Sequence, residues 1–461
     1  MSRAHVLVLP FPAQGHVNPL MDLSHELAKH DIKITFVNTD FINKQIMEAE
    51  ATRNEDKEQV GSDQIQMVSI PDGIEQEEDR NRWEILIESI WQVMPMKLEQ
   101  LIQEISEKSE NEKISCVVAD AAMGWALEVA EKMGIHRATF LSTSAAVLAL
   151  CFSIPKLLDD GIIDDDGTPT KDQIIHLAPN MPAMRTKHFP WAQMGAGLNA
   201  QKLVFNCMMR NNAAEIAEWA ICNSAHELEP SAFAYAPNIL PIGPLQASKS
   251  NHVDHLAGSF WREDSTCLNW LDQQPDKSVI YVAFGSFTIF DLLQLQELAL
   301  GLELSNKPFL WVVRSDINNG AVNAFLKEFE DRLCSHGKVV GWAPQQKVLT
   351  HPSIACFLSH CGWNSTIEGV INGVPFLSWP YFADQFLNET YICDIWKVGL
   401  RLNRDNGIIS QEEITFKIKQ LLNDEGLRAR ASELKEKVID NVKDGGSSNK
   451  NLKNLVDWIK A

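Results

Sequence analysis

No stretch of this 461-residue chain approaches the roughly 20 apolar residues that a membrane-crossing helix needs, so no part of it reads as a span. The opening MSRAHVLVLPFPAQGHVNP holds an apolar run too short and too broken by proline for a secretory signal. It reads as a first buried strand. The closing KNLVDWIKA is too polar for a tail anchor. Cysteines are few and scattered: Cys116, Cys151, Cys207, Cys222, Cys267, Cys334, Cys356, Cys361 and Cys393. They form no CxxC pair, and their odd count argues against a disulfide framework and for reduced thiols in a cytoplasmic protein. The sequons at Asn364 and Asn388 are set aside on that ground. Basic residues are scarce as well, 41 Lys and Arg against 61 Asp and Glu, for a net charge of −20. Such a surface repels nucleic acid and anionic membrane, so a phosphate-bearing ligand would have to be held by local features such as helix N-termini. GxSxG, HExxH and P-loop motifs are all missing, which leaves hydrolase and NTPase readings without support.

What is present is an ordinary enzyme-like composition, 45% hydrophobic and 22% charged, in a chain long enough for two domains. Short apolar runs at His5–Leu9, Ile32–Asn38, Ile114–Ala119 and Arg137–Leu141 read as strands in the first half. In the second half Ser278–Phe284, Phe309–Val313, Lys338–Val340, Ile354–Ser359 and Pro375–Ser378 read the same way. Helical patterns fit between them, among them Pro19–Lys29, Trp125–Met133, Leu292–Leu304 and Ser365–Asn372. Strand–helix alternation of this kind predicts α/β architecture, here two doubly wound Rossmann-like domains facing a cleft. The expected division is 1–245, a polar linker at 246–262, and 263–461, with a last helix near 445–461 packing back on the first domain.

The segment Ile354–Glu368, IACFLSHCGWNSTIE, carries the strongest chemical signal. A strand ends at His360, Gly362 permits a tight turn, and a helix opens at Asn364 or Ser365. Free backbone N–H groups and a positive dipole end suit a diphosphate there, and His360 and Asn364 add side-chain donors. A plainer reading fits the same residues, with Ser365-x-x-Glu368 as a capping box and Gly362 as a turn residue.

The longer stretch from Trp342 to Gln385, WAPQQKVLTHPSIACFLSHCGWNSTIEGVINGVPFLSWPYFADQ, decides between them. It closely resembles the signature box of plant family 1 UDP-glycosyltransferases, matching at WAPQ, HP, HCGWNS, the Glu after it, GVP, WP and ADQ. The likeness extends to the N-terminal PxPAQGHVNP and to most of the chain. It implies the GT-B fold. It also implies that Trp342 stacks on uracil, that Ala343 meets uracil through its backbone, and that Gln345 and Glu368 bind the ribose hydroxyls. His360, Gly362, Asn364 and Ser365 would hold the diphosphate, helped by Ser286 of the AFGSFT turn, while Trp363, Asp384 and Gln385 would reach the sugar. Phe382 stands where the family often has Trp, a change at the acceptor rim. A final Gln goes with glucose, so UDP-glucose is the expected co-substrate, with no cofactor and no metal.

His16 follows the first strand in the loop PFPAQGH, with Asn18-Pro19 reading as an N-cap and first helical turn. A helix N-terminus there disfavours the protonated imidazole, and a neutral imidazole is what a general base needs. Asp120 follows the strand Ile114–Ala119 and so lies on the same sheet edge. It either caps the next helix or orients His16. The resemblance pairs His16 with Asp120 as the catalytic dyad, and implies direct, inverting displacement of UDP by an acceptor hydroxyl.

Asp164-Asp165-Asp166 invites comparison with a metal-binding DxD, but its Gly-flanked acidic setting reads as solvated loop. His351, Cys356, His360 and Cys361 match no zinc spacing. Two other classes remain: a sugar-nucleotide-binding protein without catalysis, which could dispense with His16 and Asp120, and a nicotinamide oxidoreductase, which should show GxGxxG after its first strand. A C-glycosyltransferase of the same fold is a further alternative. Large apolar residues in the middle of the first half, including Trp83, Met94, Met123, Trp191 and Phe205, are candidates with Phe382 for an acceptor pocket. A small hydrophobic phenolic or terpenoid acceptor is expected, and a monomer.

Overall fold

Strands that are apolar at every position belong in parallel sheets covered on both faces, and the chain builds two of these. The computed structural model describes residues 3–51, 64–75, 82–108, 113–179, 181–193, 198–210, 213–248, 259–314, 320–333, 336–404 and 407–461. It divides into two units, Met1–Arg262 together with Asp440–Ala461, and Glu263–Ile439.

In chain order the first unit contributes β1 (His5–Leu9), β2 (Lys33–Thr39), β3 (Ile65–Ile70), β4 (Cys116–Asp120) and β5 (His136–Leu141). The short β6 (Ile174–Ile175) and β7 (Met184–Arg185) form a separate antiparallel pair, and β8 (Trp219–Cys222) and β9 (Ile239–Pro241) complete the main sheet. That sheet is parallel throughout and runs β3-β2-β1-β4-β5-β8-β9. Period-two alternation splits β1 between two cores. Val6 and Val8 pack with Leu20, Leu23 and Leu27 of the helix Gln14–Ala28, while Leu7 and Leu9 pack with Ile90, Met94 and Leu98 on the other face.

The second unit contributes β10 (Val279–Ala283), β11 (Phe309–Val312), β12 (Gly337–Val340), β13 (Ile354–Ser359), β14 (Phe376–Ser378) and β15 (Gly399–Arg401). These form a parallel sheet in the order β12-β11-β10-β13-β14-β15. Each sheet therefore reverses direction once, between β1 and β4 and between β10 and β13. Ligands of open α/β sheets bind at such switch points, beyond the carboxyl ends of the strands. Register sets the two pairs of turns side by side: Leu9 lies beside Ala119, and Ala283 beside Ser359.

Several expectations need correction. Strands β3, β8, β9 and β15 were not legible; three of them are only three or four residues long. The first helix begins at Gln14 and not at Pro19, so Asn18 is no cap and Pro19 lies inside the helix. The second domain ends at Ile439 and not at 461, because the helix Ser447–Lys460 belongs to the first unit. Its Leu455, Val456 and Ile459 join the core around β1, Trp458 lies against Trp219 and His136, and Asn451 donates to the Pro241 carbonyl at 2.8 Å. Of the expected linker, residues 259–262 also belong to the first unit. The Phe260 amide donates to Gln14 Oε1 at 2.7 Å. Residues 249–258 lie outside the described residues.

Candidate active site

At the switch point of the first sheet, β1 runs through a turn into the helix Gln14–Ala28, whose third residue is His16. Beside it β4 ends at Asp120. His16 Nδ1 and Asp120 Oδ2 are 2.8 Å apart, and the carboxylate is 2% exposed. Burying an ionised carboxylate is costly unless its lone pairs are met by donors. Asp120 meets this demand from three directions. Oδ2 accepts from His16 and from the Ser142 hydroxyl, the latter at 2.5 Å, and Oδ1 accepts from the Ala122 amide at 2.9 Å. The two readings of Asp120 are thus both realised, one oxygen capping the short 3-10 helix Ala121–Met123 and the other orienting the histidine. With Nδ1 turned to the carboxylate, Nε2 carries the basic lone pair. Phe11 packs on the ring, centroids 5.2 Å apart, and the imidazole keeps about a quarter of its surface exposed, at 28%. Ser142, one residue beyond β5, escaped the sequence reading because a serine in LSTS carries no mark of its own. The pairing of Asp120 with Phe140 across β4 and β5 puts it there.

At the second switch point, the turns after β10 and β13 enclose His360. Gly285 and Gly362 approach its ring so closely that a Cβ on either would lie 2.6 or 2.5 Å from Nε2. Gly362 has φ −59°, which any residue adopts; the left-handed position of the turn is Cys361, with φ 66°. Glycine is needed at 362 for room and not for rotation. The helix that follows begins at Trp363, one or two residues earlier than expected, and no side chain caps it. The capping-box reading fails here, because Ser365 is the third helical residue and its hydroxyl accepts from Gln345 Nε2 at 2.8 Å. First-turn amides have no acceptor within their own helix, which suits such a helix start to an anion. Removal from water pushes His360 down to about 4, against a smaller opposing hydrogen bond donated to the Ala283 backbone carbonyl, so at neutral pH the imidazole is uncharged. Ser286 lies half-buried in the turn after β10. Thr288, two residues on and unforeseen from sequence, is 6% exposed with a hydroxyl that finds no partner among the described residues.

Around this junction the remaining box residues form one network. Gln345 Nε2 also donates to Glu368 Oε2 at 2.7 Å, Gln346 donates to Glu368 Oε1 at 3.2 Å, and Tyr281 donates to Gln345 Oε1 at 3.0 Å. A carboxylate and an amide meeting side by side can accept from and donate to a vicinal diol. Trp342 is half-buried, with its carbonyl accepting from the Asp264 amide, and Ala343 is buried beside it. Asn364 is the second helical residue. Gln385 Oε1 accepts from the Tyr381 and Phe382 amides at 2.8 and 3.1 Å, so its side chain has only the NH2 group to offer a ligand. Asp384 opens the helix Gln385–Thr390 and is half-buried. Trp363 departs from expectation. Its indole is 3% exposed and lies against Trp396, so this residue can serve a ligand only through its backbone.

Two family models match the chain, "UDP-glucoronosyl and UDP-glucosyl transferase" over residues 207–438 and "Glycosyltransferase, N-terminal domain" over residues 2–160. UDP-glycosyltransferase 83A1 of Arabidopsis thaliana is 48% identical over 467 residues, covering 100% of this chain and 98% of that protein. The chain is a plant family 1 UDP-glycosyltransferase. Another relative of this transferase, 7-deoxyloganetin glucosyltransferase of Catharanthus roseus, is 32% identical over 490 residues, covering 100% of this chain and 97% of the other. Among solved structures, Os79 from O. sativa in complex with UDP superposes with a TM-score of 0.80 at 27% identity, covering 98% and 100% of the two chains. Phytolacca americana UGT2 with UDP-2fluoro-glucose and pterostilbene gives 0.78 at 26%, covering 99% of each. The fold is accordingly GT-B, with two Rossmann-like units.

Most residues expected to line the transferase's acceptor pocket are closed. Met94, Met123, Trp191 and Phe205 are each at most 1% exposed, which gives a ligand no surface to touch. Met94 and Met123 belong to the core beneath β1 and β4. Trp191 packs between Phe189 and Phe205 and donates to the Gly167 carbonyl at 2.7 Å. Phe382 is half-buried, its ring edge-on to Phe287, which is itself 43% exposed. Trp83 begins the helix Trp83–Lys108, and its side chain lies outside the described residues. In the acidic loop, Asp164 Oδ1 accepts from the Asp166 and Thr168 amides, and Asp166 pairs with Lys202. His351 bonds Ser353 and Asp272, and Cys356 is buried within β13. Among the described residues no helix is long and apolar enough to cross a membrane.

Proposed function

We propose that this UDP-glycosyltransferase moves glucose from UDP-glucose to a hydroxyl of a small hydrophobic acceptor, phenolic or terpenoid, with inversion at the anomeric carbon. The observation that carries the reading is the 2.8 Å contact between His16 and the buried Asp120 carboxylate. His16 Nε2 takes the acceptor proton as the acceptor oxygen bonds to the anomeric carbon, and the bond from that carbon to the β-phosphate oxygen breaks. Asp120 holds the tautomer and steadies the imidazolium that forms. UDP leaves into the amides of Trp363, Asn364 and Ser365 and the neutral His360, with Ser286 and Thr288 beside them. Trp342 and Ala343 take the uracil, Gln345 and Glu368 the ribose, and Asp384 and Gln385 the sugar hydroxyls.

Glucose is favoured by the terminal Gln385 of the box and by the names of relatives such as 7-deoxyloganetin and 7-deoxyloganetic acid glucosyltransferase. Pterostilbene in the UGT2 complex and the trichothecene in an Os79 complex support an apolar acceptor. Phe382 and Phe287 are the side chains we assign to the acceptor's rim. The enzyme works as a cytoplasmic monomer and needs no metal, because helix amides and His360 meet the charge on the leaving group. A panel of phenolic and terpenoid alcohols incubated with UDP-glucose and read by mass spectrometry tests the proposal. A mass gain of one hexose, unaffected by EDTA, is expected. Donor turnover without any glycosylated product would point instead to a different acceptor class, and loss of activity in EDTA would remove the metal-free mechanism.

A further inference from the structure

We infer that Asn388, three residues beyond the box, is the positioning residue that ties the diphosphate turn to the sugar-binding carboxylate. This rests on the proposed donor roles of the box. Asn388 is fully buried in the helix Gln385–Thr390. Its Nδ2 donates both hydrogens, one to the Cys361 carbonyl at 2.9 Å and one to Asp384 Oδ2 at 2.9 Å. The two acceptors belong to different turns. Cys361 is the left-handed residue of the turn after β13, a conformation that non-glycine residues hold only when their surroundings fix it. The Ser359 hydroxyl accepts from the Cys361 amide at 3.1 Å, and Asn388 holds the carbonyl on the other side of the same residue. The peptide so clamped leads directly into Gly362 and the helix amides at Trp363. Asp384 is the carboxylate proposed to meet the sugar hydroxyls.

One amide therefore fixes the spacing between diphosphate cradle and sugar contact. Its chemistry is specific to asparagine. An aspartate of the same shape would set a second carboxylate against Asp384 and could donate to neither acceptor. Asn388 Oδ1 is buried without a partner among the described residues, so the hydrogen bonds of this side chain shown here are made by its Nδ2 group. The donating end is where its use lies.

Calorimetric titration of UDP and of UDP-glucose separates the contributions. Asn388→Ala is expected to weaken UDP-glucose about tenfold or more and UDP by only a few-fold, because the lost hydrogen bond to a charged acceptor matters more than the one to a neutral carbonyl. A double-mutant cycle with Asp384→Ala carries the decision. If Asn388 acts through Asp384, removing it from the Asp384→Ala enzyme costs UDP-glucose affinity no more than it costs UDP affinity. Additive losses, or equal losses for both ligands in the single variant, overturn the inference. If Asp384→Ala itself weakens UDP and UDP-glucose equally, the proposed sugar contact fails instead. Should Asn388→Ala not fold, the isosteric Asn388→Asp is titrated in its place, with the same discrimination expected and undiminished UDP-glucose affinity contradicting it.

Discussion

The His16 site and the Trp342–Gln385 box occupy the same kind of place, the switch point of a parallel sheet, and are built in opposite ways. Around His16 two side chains, His16 itself and Ser142, converge on a single carboxylate oxygen of Asp120. Around His360 the donors are spread over helix amides, hydroxyls and amide side chains, and the box residues assigned to the donor include no Lys or Arg. The contrast follows from the tasks proposed for the two sites. A base must present one nitrogen in one protonation state, and a charged partner held by converging bonds does that. A diphosphate spreads its charge over many oxygens, and an array of neutral dipoles meets it in a chain whose net charge of −20 favours no anion.

The comparison breaks most sharply at His16. His16→Ala is expected to lower transfer by roughly two to four orders of magnitude while leaving UDP affinity unchanged, read by steady-state kinetics beside calorimetry. Equal damage to both quantities would erase the division of labour. Next in size is Gly362→Ala. Its backbone conformation suits alanine, but the new methyl meets His360 Nε2, and overpacking of this kind costs about 1–3 kcal/mol, or roughly tenfold to a hundredfold in UDP affinity. Retained affinity would mean that the ring yields freely and is not positioned by the two glycines. Ser142→Ala should reduce transfer by about fivefold to tenfold. It should also move the acidic limb of the kcat/KM profile to higher pH, since more of the carboxylate's charge is then left to His16. An unshifted profile would make Ser142 a packing residue only.

The smallest expected effect lies on the buried side of the donor-site helix Gln385–Thr390. Burial raises Glu389 to about 7, opposed by Arg401 at 3.2 Å, while the unfolded chain keeps the ordinary carboxylate value near 4.5. Between those values the folded protein binds the extra proton, so this group's contribution to stability falls as pH rises toward 7. Glu389→Gln should therefore lift the melting temperature by about 1–3 °C more at pH 8 than at pH 5. An equal change at both pH values would show that the Arg401 pair cancels the burial.

Legibility followed contiguity. The box was readable because its chemistry sits in one unbroken stretch, down to the strand, the turn and the helix. His16 and Asp120 lie 104 residues apart, yet both could be placed because one follows and the other ends a strand of continuous apolar residues. Their partner Ser142 depends on strand register, which no local pattern encodes. Pro19 misled the helix start, since proline at a first turn and proline inside a helix look alike in sequence. The same limit applied to the acceptor pocket. Met94, Met123, Trp191 and Phe205 are the residue types of a ligand cavity and of a core, and the structure places them in the core. The terminal helix was expected on the first domain, and Leu455, Val456 and Ile459 join the core around β1 there.

The central claim is a single displacement driven by one base. Proton NMR of the glycoside formed from UDP-α-glucose tests it most directly, through the coupling of the anomeric proton. A β-linked product is expected, with none of the α-anomer. An α-linked product would require a second displacement or a different trajectory, and would contradict the role given to His16.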